Sequence, residues 1–283
     1  MRTTRLIGLS VLFIATLGAA HQSAAQQPAR SALKSMPSNY VASQPESGGI
    51  REVVPSKYQK RYQEWKDEFL STDIGKVQWE MYAHHPRFVL TITISGSNKQ
   101  GGGSGKYKWN EAGELVAATI SLGSRIDQGF PTSVYYPVMN ALEPFESSRL
   151  ISGNTLAATK LAHEFGHIMK MSTTSQVLYS LQLQLVPAYN KIFLSNGHNV
   201  NDPRLVEMAQ KMGGNPVEIW EDREYWGEAN AMLFLRDRVE KEKFHCRLFA
   251  KIKRAVEEYA RPYEERFAEI AKEQGAIYTC GWR

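Results

Sequence analysis

Residues 161–169 read Leu-Ala-His-Glu-Phe-Gly-His-Ile-Met, and within them His163, Glu164 and His167 stand at the spacing H-E-x-x-H. On a helix, residues four apart lie one turn above each other on the same face, so His163 and His167 can offer two imidazole nitrogens to a single metal ion. Glu164 then stands beside that ion. A carboxylate there can take a proton from a water whose pKa zinc has lowered to about 7, and later return it to a leaving amine. The competing reading makes all three ordinary polar side chains on the flank of a packed helix. It is the weaker one, because the surrounding stretch is apolar and unpaired ionisable groups are costly inside a protein.

This chemistry requires a helix at that place, and the flanking residues supply one. Asn154, after Ser-Gly, is a candidate N-cap, and Ala158, Leu161, Ala162, Phe165, Ile168 and Met169 recur at steps of three and four. That periodicity predicts a buried helix with an apolar stripe beside the metal-binding side chains.

The stretch Leu161–Met169 resembles the active-site helix of the zincin metallopeptidases, in which His-Glu-x-Gly-His is common and the small Gly166 lets another helix pack closely. The resemblance implies His163 and His167 as zinc ligands and Glu164 as the general base. The metzincin branch continues to a Gly and a third His, whereas Lys170 and Thr173 occupy those places here, which excludes that branch.

A catalytic zinc usually has three protein ligands and a water, so a third ligand is expected further along. The resemblance to gluzincins points to a Glu on a later helix, commonly with a small residue three positions on, and the segment Glu221–Met232 offers two. Glu228 has Ala231 at that offset and shares a face with Met232, Leu235 and Val239. Glu224 has Gly227 there and a second acid, Glu228, four positions on. Glu228 is preferred as the ligand, since it lies on the apolar face while Glu224 is nearer the helix start, where the dipole alone favours acids. The other Glu then acts as an outer partner of the site. The remaining histidines read as bland: His198 in a polar loop, His245 in a charged helix, His84 and His85 in a turn before Pro86, and His21 in the leader.

That leader sets the compartment. Arg2 and Arg5 precede an apolar core, and Ser23 and Ala25 are placed for cleavage before Gln26, so residues 1–25 read as a signal peptide and the mature chain as secreted or periplasmic. The core is short for a membrane span, and stable membrane insertion after cleavage is not expected. Cleavage removes Arg2 and Arg5 and no acid, lowering the formal charge from +5 to +3. Basic residues interleave with acids, as in Lys241-Glu242-Lys243 and Glu264-Glu265-Arg266, which marks solvated helix faces and argues against nucleic acid as a partner. Cys246 and Cys280 are compatible with one disulfide in an oxidising compartment or with two buried thiols.

Residues 26–50 are rich in Ser, Pro, Gln and Ala and read as a flexible linker, leaving 51–283 as the folded domain. Tyr58–Leu70 reads as a helix, and Arg87–Ser95, with Phe88, Leu90, Ile92 and Ile94 alternating, as a strand. The Gly-rich run Lys99–Lys106 lacks phosphate-loop spacing and reads as a mobile hairpin loop. Tyr107–Trp109 and Leu115–Leu122 read as further strands. Helices follow the metal helix over Gln176–Phe193, with a kink at Pro187, from Pro203, over the Glu221 segment, and from Lys243 to Gln274 with an interruption near Pro262. The expected fold class is α+β and zincin-like: an antiparallel sheet in the N-terminal half packed on the active-site helix, then a mainly helical C-terminal half. By analogy with zincins, Val116–Leu122 is a candidate shelf for a peptide substrate.

The expectation from these residues is a zinc-dependent metallopeptidase acting on a peptide or protein substrate. An oxyanion donor is unassigned among Tyr135, Tyr136, Tyr179 and Tyr189. Two alternatives are an exported zincin-fold binding or toxin-like protein and a zinc amidase acting on envelope peptides. A structural metal site would be closed, whereas a catalytic one keeps a position for water.

Overall fold

The computed structural model describes residues 48–96, 99–129, 151–174, 202–211, 216–238 and 246–281, with a few further positions between 176 and 195. The expected signal segment 1–25, the linker up to residue 47, most of the expected helix 176–193, and His198, His245, Tyr135, Tyr136 and Tyr189 lie outside the described residues. The first strand, β1 (Gly49–Val53), already includes Gly49 and Ile50, so ordered structure begins within the stretch read as linker. It is followed by α1 (Gln59–Phe69), α2 (Asp73–Ala83), β2 (Val89–Ser95), β3 (Gly102–Trp109) and β4 (Leu115–Gly123). The helices α3 (Gly153–Ser172), α4 (Pro203–Lys211), α5 (Pro216–Arg238) and α6 (Cys246–Glu273) complete the described elements. None of the described helices is long and apolar enough to cross a membrane.

The fold is mixed α/β, with a four-stranded sheet in the order β1-β2-β4-β3. The expected antiparallel sheet is corrected to a mixed one: β1 pairs parallel to β2, β2 parallel to β4, and only β3 runs antiparallel, to β4. Alternating burial along β2 and β4 places one face of each strand inside, and that pattern is the same for either strand direction. Direction is set by the connections. The helices α1 and α2 separate β1 from β2, which provides the long crossover that parallel neighbours need, while a short turn at Asn110–Gly113 joins β3 to β4 as a hairpin.

Two sequence expectations shift for local reasons. The glycines read as a mobile loop form the first half of β3, where Gly102, Gly103, Ser104 and Gly105 pair with Leu122, Ser121, Ile120 and Thr119. A partner strand overrides the weak strand preference of glycine there. The helix α6 runs unbroken through Pro262. Proline deletes one helical hydrogen bond, but Val256, Ala260, Tyr263 and Phe267 on either side are buried and hold the helix together.

The centre of the core is α3. Leu90, Ile92 and Ile94 of β2 and Ala118, Ile120 and Leu122 of β4 present their buried face to the interior, and α3 also packs against β3, β4, α1 and α5. Phe165 of α3 stacks on Phe69 of α1 at 5.0 Å between ring centroids, and Tyr82 of α2 closes on the same ring at 5.9 Å. The C-terminal tail is fastened to α6. Glu264, fully buried, accepts hydrogen bonds from both Nη atoms of Arg236, from the Tyr278 hydroxyl at 2.6 Å and from the Gly281 amide. This tail also decides the cysteine question. Cys280 Sγ lies 3.9 Å from the carbonyl of Glu264. Cys246 starts the same helix eighteen residues earlier, about 27 Å away at the helical rise per residue. A disulfide requires Cα atoms within about 7 Å, so the two do not pair, and Cys280 is a free thiol.

Candidate active site

The H-E-x-x-H residues lie in the middle of α3, which continues from Gly153 to Ser172 with Ser152, rather than Asn154, at the N-cap. Gly153 takes φ +56°, a left-handed conformation that suits a residue without Cβ, and so redirects the chain into the helix. From Leu156 onward nearly every side chain is buried, and His163 and His167 are half-buried at the helix margin. The Nε2 atoms of His163 and His167 face each other at 3.0 Å, with the rings nearly perpendicular at 86°.

This pair can be tested for its fit to zinc. Two imidazole nitrogens at the usual Zn–N distance in a tetrahedral site are separated by about 3.3 Å. The observed separation is within a few tenths of an ångström of that, and the epsilon nitrogens, not the delta ones, converge. The residues therefore fit two corners of a zinc site.

A neighbouring helix holds His163 in place. The glycines Gly166 of α3 and Gly227 of α5 mark where the two helices cross. A Cβ on Gly166 would fall 2.2 Å from the Trp226 carbonyl oxygen, and one on Gly227 would fall 2.8 to 3.0 Å from three atoms of the His163 ring. Both positions need glycine for close approach of backbone and ring. One turn further along α5, buried Asn230 donates to the Ala162 carbonyl, immediately before His163, and exchanges hydrogen bonds with Gln78 of α2. The Tyr263 hydroxyl of α6 donates to the same Asn230 side chain at 2.8 Å. Four helices thus share one buried polar junction under the histidines, and a polar group buried there is retained because its bonds are all made within the protein.

Glu164 faces the other way, toward the sheet. It is 5 % exposed. The backbone of Gly102 in β3 lies so close that a Cβ there would sit 3.0 Å from Glu164 Oε1. The motif is consequently set in a seam, with α5 against the first histidine and β3 against the acid.

Glu228 is half-buried and its carboxylate accepts a hydrogen bond from the Tyr259 hydroxyl of α6 at 2.6 Å. Tyr225 donates to the Tyr259 carbonyl beside it. Glu224 stands three residues before Gly227, one helical turn earlier in α5. Among the described residues, no group of three His, Cys, Asp or Glu side chains gathers as a metal site.

Other expected features fall elsewhere. The strand proposed as a substrate shelf, Val116–Leu122, belongs to β4, whose two edges are occupied by β2 and β3, so the edge strand beside Glu164 is β3 instead. Tyr179 packs against Tyr107 and Trp109 of β3 with ring centroids 5.2 and 5.1 Å away. His85 keeps the turn role read from the sequence: its Nδ1 accepts the Phe88 amide at 2.8 Å, and burial lowers its pKa. A cavity lies between the ends of α2 and α6, lined by residues that include Glu80, His84, His85 and Glu273, and it contains none of the three motif residues.

Sequence reading alone overlooked Lys160, Asn230 and Gly102. Lys160 left a usable signal, a lone cation in the otherwise apolar run from Leu156 to Ala162. Asn230 and Gly102 left none, because their importance lies in partners far away in the chain. No family model, curated protein or solved structure matches this chain.

Proposed function

We propose that this chain is an exported zinc-dependent peptidase of gluzincin type, hydrolysing peptide bonds in a peptide or protein substrate. The observation that carries the reading is the pair of Nε2 atoms 3.0 Å apart on one helix, with the buried acid Glu164 between them in sequence. Zinc, when bound, supplies Lewis acidity, lowering the pKa of a water and polarising the scissile carbonyl. His163 and His167 would hold it through Nε2. Glu164 takes the proton of the attacking water and returns it to the leaving amine, and the shielding of its carboxylate by β3 strengthens that exchange by keeping bulk water away.

A carboxylate of α5 is proposed as the third ligand. Glu228, whose carboxylate is oriented by Tyr259, is that carboxylate, with Glu224 one turn earlier as the alternative. The edge of β3 that has no strand partner among the described residues, next to Glu164, is the segment suited to pair with an extended substrate backbone.

The test uses purified mature protein and casein as a general substrate. E164Q is expected to retain about one zinc per chain while losing nearly all hydrolysis, and H163A to lose the metal. Full casein hydrolysis by E164Q would overturn the mechanism.

A further inference from the structure

Lys160 is 6 % exposed, yet it carries an amine into the core of α3. Burying an ammonium is costly unless its hydrogens find acceptors. Here two backbone carbonyls receive it: Nζ donates to Gln100 O at 2.6 Å and to Gln128 O at 3.1 Å. These two carbonyls belong to different segments. Gln100 lies two residues before Gly102, in the stretch leading into β3, and Gln128 follows β4.

The stretch before β3 already lies tightly on the end of β4. The Gly101 carbonyl accepts the Gly123 amide and the Lys99 carbonyl accepts the Arg125 amide, while a Cβ on Gly123 would strike Lys99 O at 2.1 Å. Asp127, held by Arg61 of α1, adds a negative charge near the amine. On its own helix Lys160 stands three residues before His163 and four before Glu164, so one turn separates the amine from the acid.

We propose that Lys160 is a positioning residue that clasps the start of the edge strand to the motif helix and thereby seats the Gly102 backbone against the carboxylate of Glu164. The inference rests on the peptidase reading for its consequence in catalysis, but the clasp itself is a property of the fold. Without it, nothing on α3 binds the carbonyls of Gln100 and Gln128, and the strand can lift from the acid. A purely structural cation would be exchangeable for an apolar side chain of similar volume at little cost, since buried charges are often replaced that way without loss of stability. A clasp is exchangeable in stability alone, and its loss frees the strand from the acid.

The experiment compares K160M, K160R and K160Q with the wild type at pH 7, by amide hydrogen exchange, zinc content, thermal melting and casein hydrolysis. In K160M the amides of residues 101–105 should exchange at least tenfold faster, while those of β2 stay unchanged. Zinc content and melting temperature should be retained and casein hydrolysis should fall at least tenfold. K160R, which keeps the charge and the donors, should restore more of both readouts than K160Q, and the three variants together keep the comparison informative if one fails to fold. Unaltered exchange of residues 101–105 in every folded variant overturns the clasp whatever the activity. If exchange responds but the wild type itself holds no zinc and cleaves no casein, the clasp stands and the peptidase reading fails. If exchange responds and hydrolysis does not, the positioning role of Lys160 is overturned.

Discussion

The imidazole of His163 lies directly on Gly227, so close that a methyl group at residue 227 would come within 2.8 Å of its Cε1 atom. A helix glycine is normally a loss of about 1 kcal/mol against alanine, and at this position the loss is offset by the room it leaves for a ring. The acid on the same motif is packed against a different glycine, Gly102, on a strand. Two residues adjacent in the chain are therefore held by two separate layers of the fold.

The two helix glycines should respond differently to alanine. In G227A the obstructed group is a side chain that can rotate away, so the protein should remain folded with a melting temperature near the wild type, while zinc affinity falls at least tenfold. In G166A the obstructed group is the Trp226 carbonyl, which cannot move without the helix. That variant should lose about 1 to 3 kcal/mol of stability. Urea denaturation and zinc titration on both proteins check this, and a G227A protein with native zinc affinity would refute the seat assigned to His163.

Removal of a metal ligand and of an outer partner differ in degree. Losing the ligand leaves two imidazoles, whereas losing a supporting carboxylate typically costs about 10 to 100-fold in affinity. E228A should copurify with little zinc and E224A should keep most of it after the same dialysis. Elemental analysis of folded protein decides, and the opposite pattern would move the third ligand to Glu224.

The tail clasp around Glu264 should be a stability element and not a part of the site. E264A leaves the Arg236 guanidinium, which is 8 % exposed, without its bidentate partner and also deprives the Tyr278 hydroxyl and the Gly281 amide of their acceptor. Loss of one member of a buried ion pair costs about 3 to 5 kcal/mol. The midpoint of urea unfolding should fall accordingly, with zinc content unchanged in the protein that remains folded; a loss under 1 kcal/mol would show that solvent reaches the pair.

The pH dependence of stability should carry the signature of Lys160. Burial pushes its amine down to about 8 from an ordinary value of 10.5, with Asp127 opposing the shift. Below pH 8 both states are protonated and the native state bears the full cost of the buried charge. Between about 8 and 10.5 the unfolded chain binds more protons than the folded one, so stability rises with pH across that window. The gain is on the order of 1 to 3 kcal/mol. It should appear as the difference between wild type and K160M in urea unfolding at pH 7 and pH 10, which cancels the titration of the tyrosines; a pH-independent difference would contradict the burial of the charge.

Local periodicity was enough to locate α1, β2, β4, α3 and α4 to within a few residues, because each buries a face whose repeat is written in adjacent positions. The pairing of His163 with His167 was legible for the same reason: both imidazoles belong to one helical turn, and their approach follows from helix geometry.

Strand direction, the identity of the edge strand and the tyrosine partner of Glu228 were decided only by tertiary structure. Parallel and antiparallel strands share one alternation of burial, and a glycine run becomes a strand only when β4 stands beside it. Glu224 and Glu228 differ by a single helical turn in sequence, and sequence periodicity ranked them by hydrophobic company. What periodicity did not reveal is which helix lies opposite each part of α5: α3 meets Gly227, and α6 brings Tyr259 to Glu228. Such contacts join residues tens of positions apart through packing, a nonlocal interaction that a local repeat does not encode.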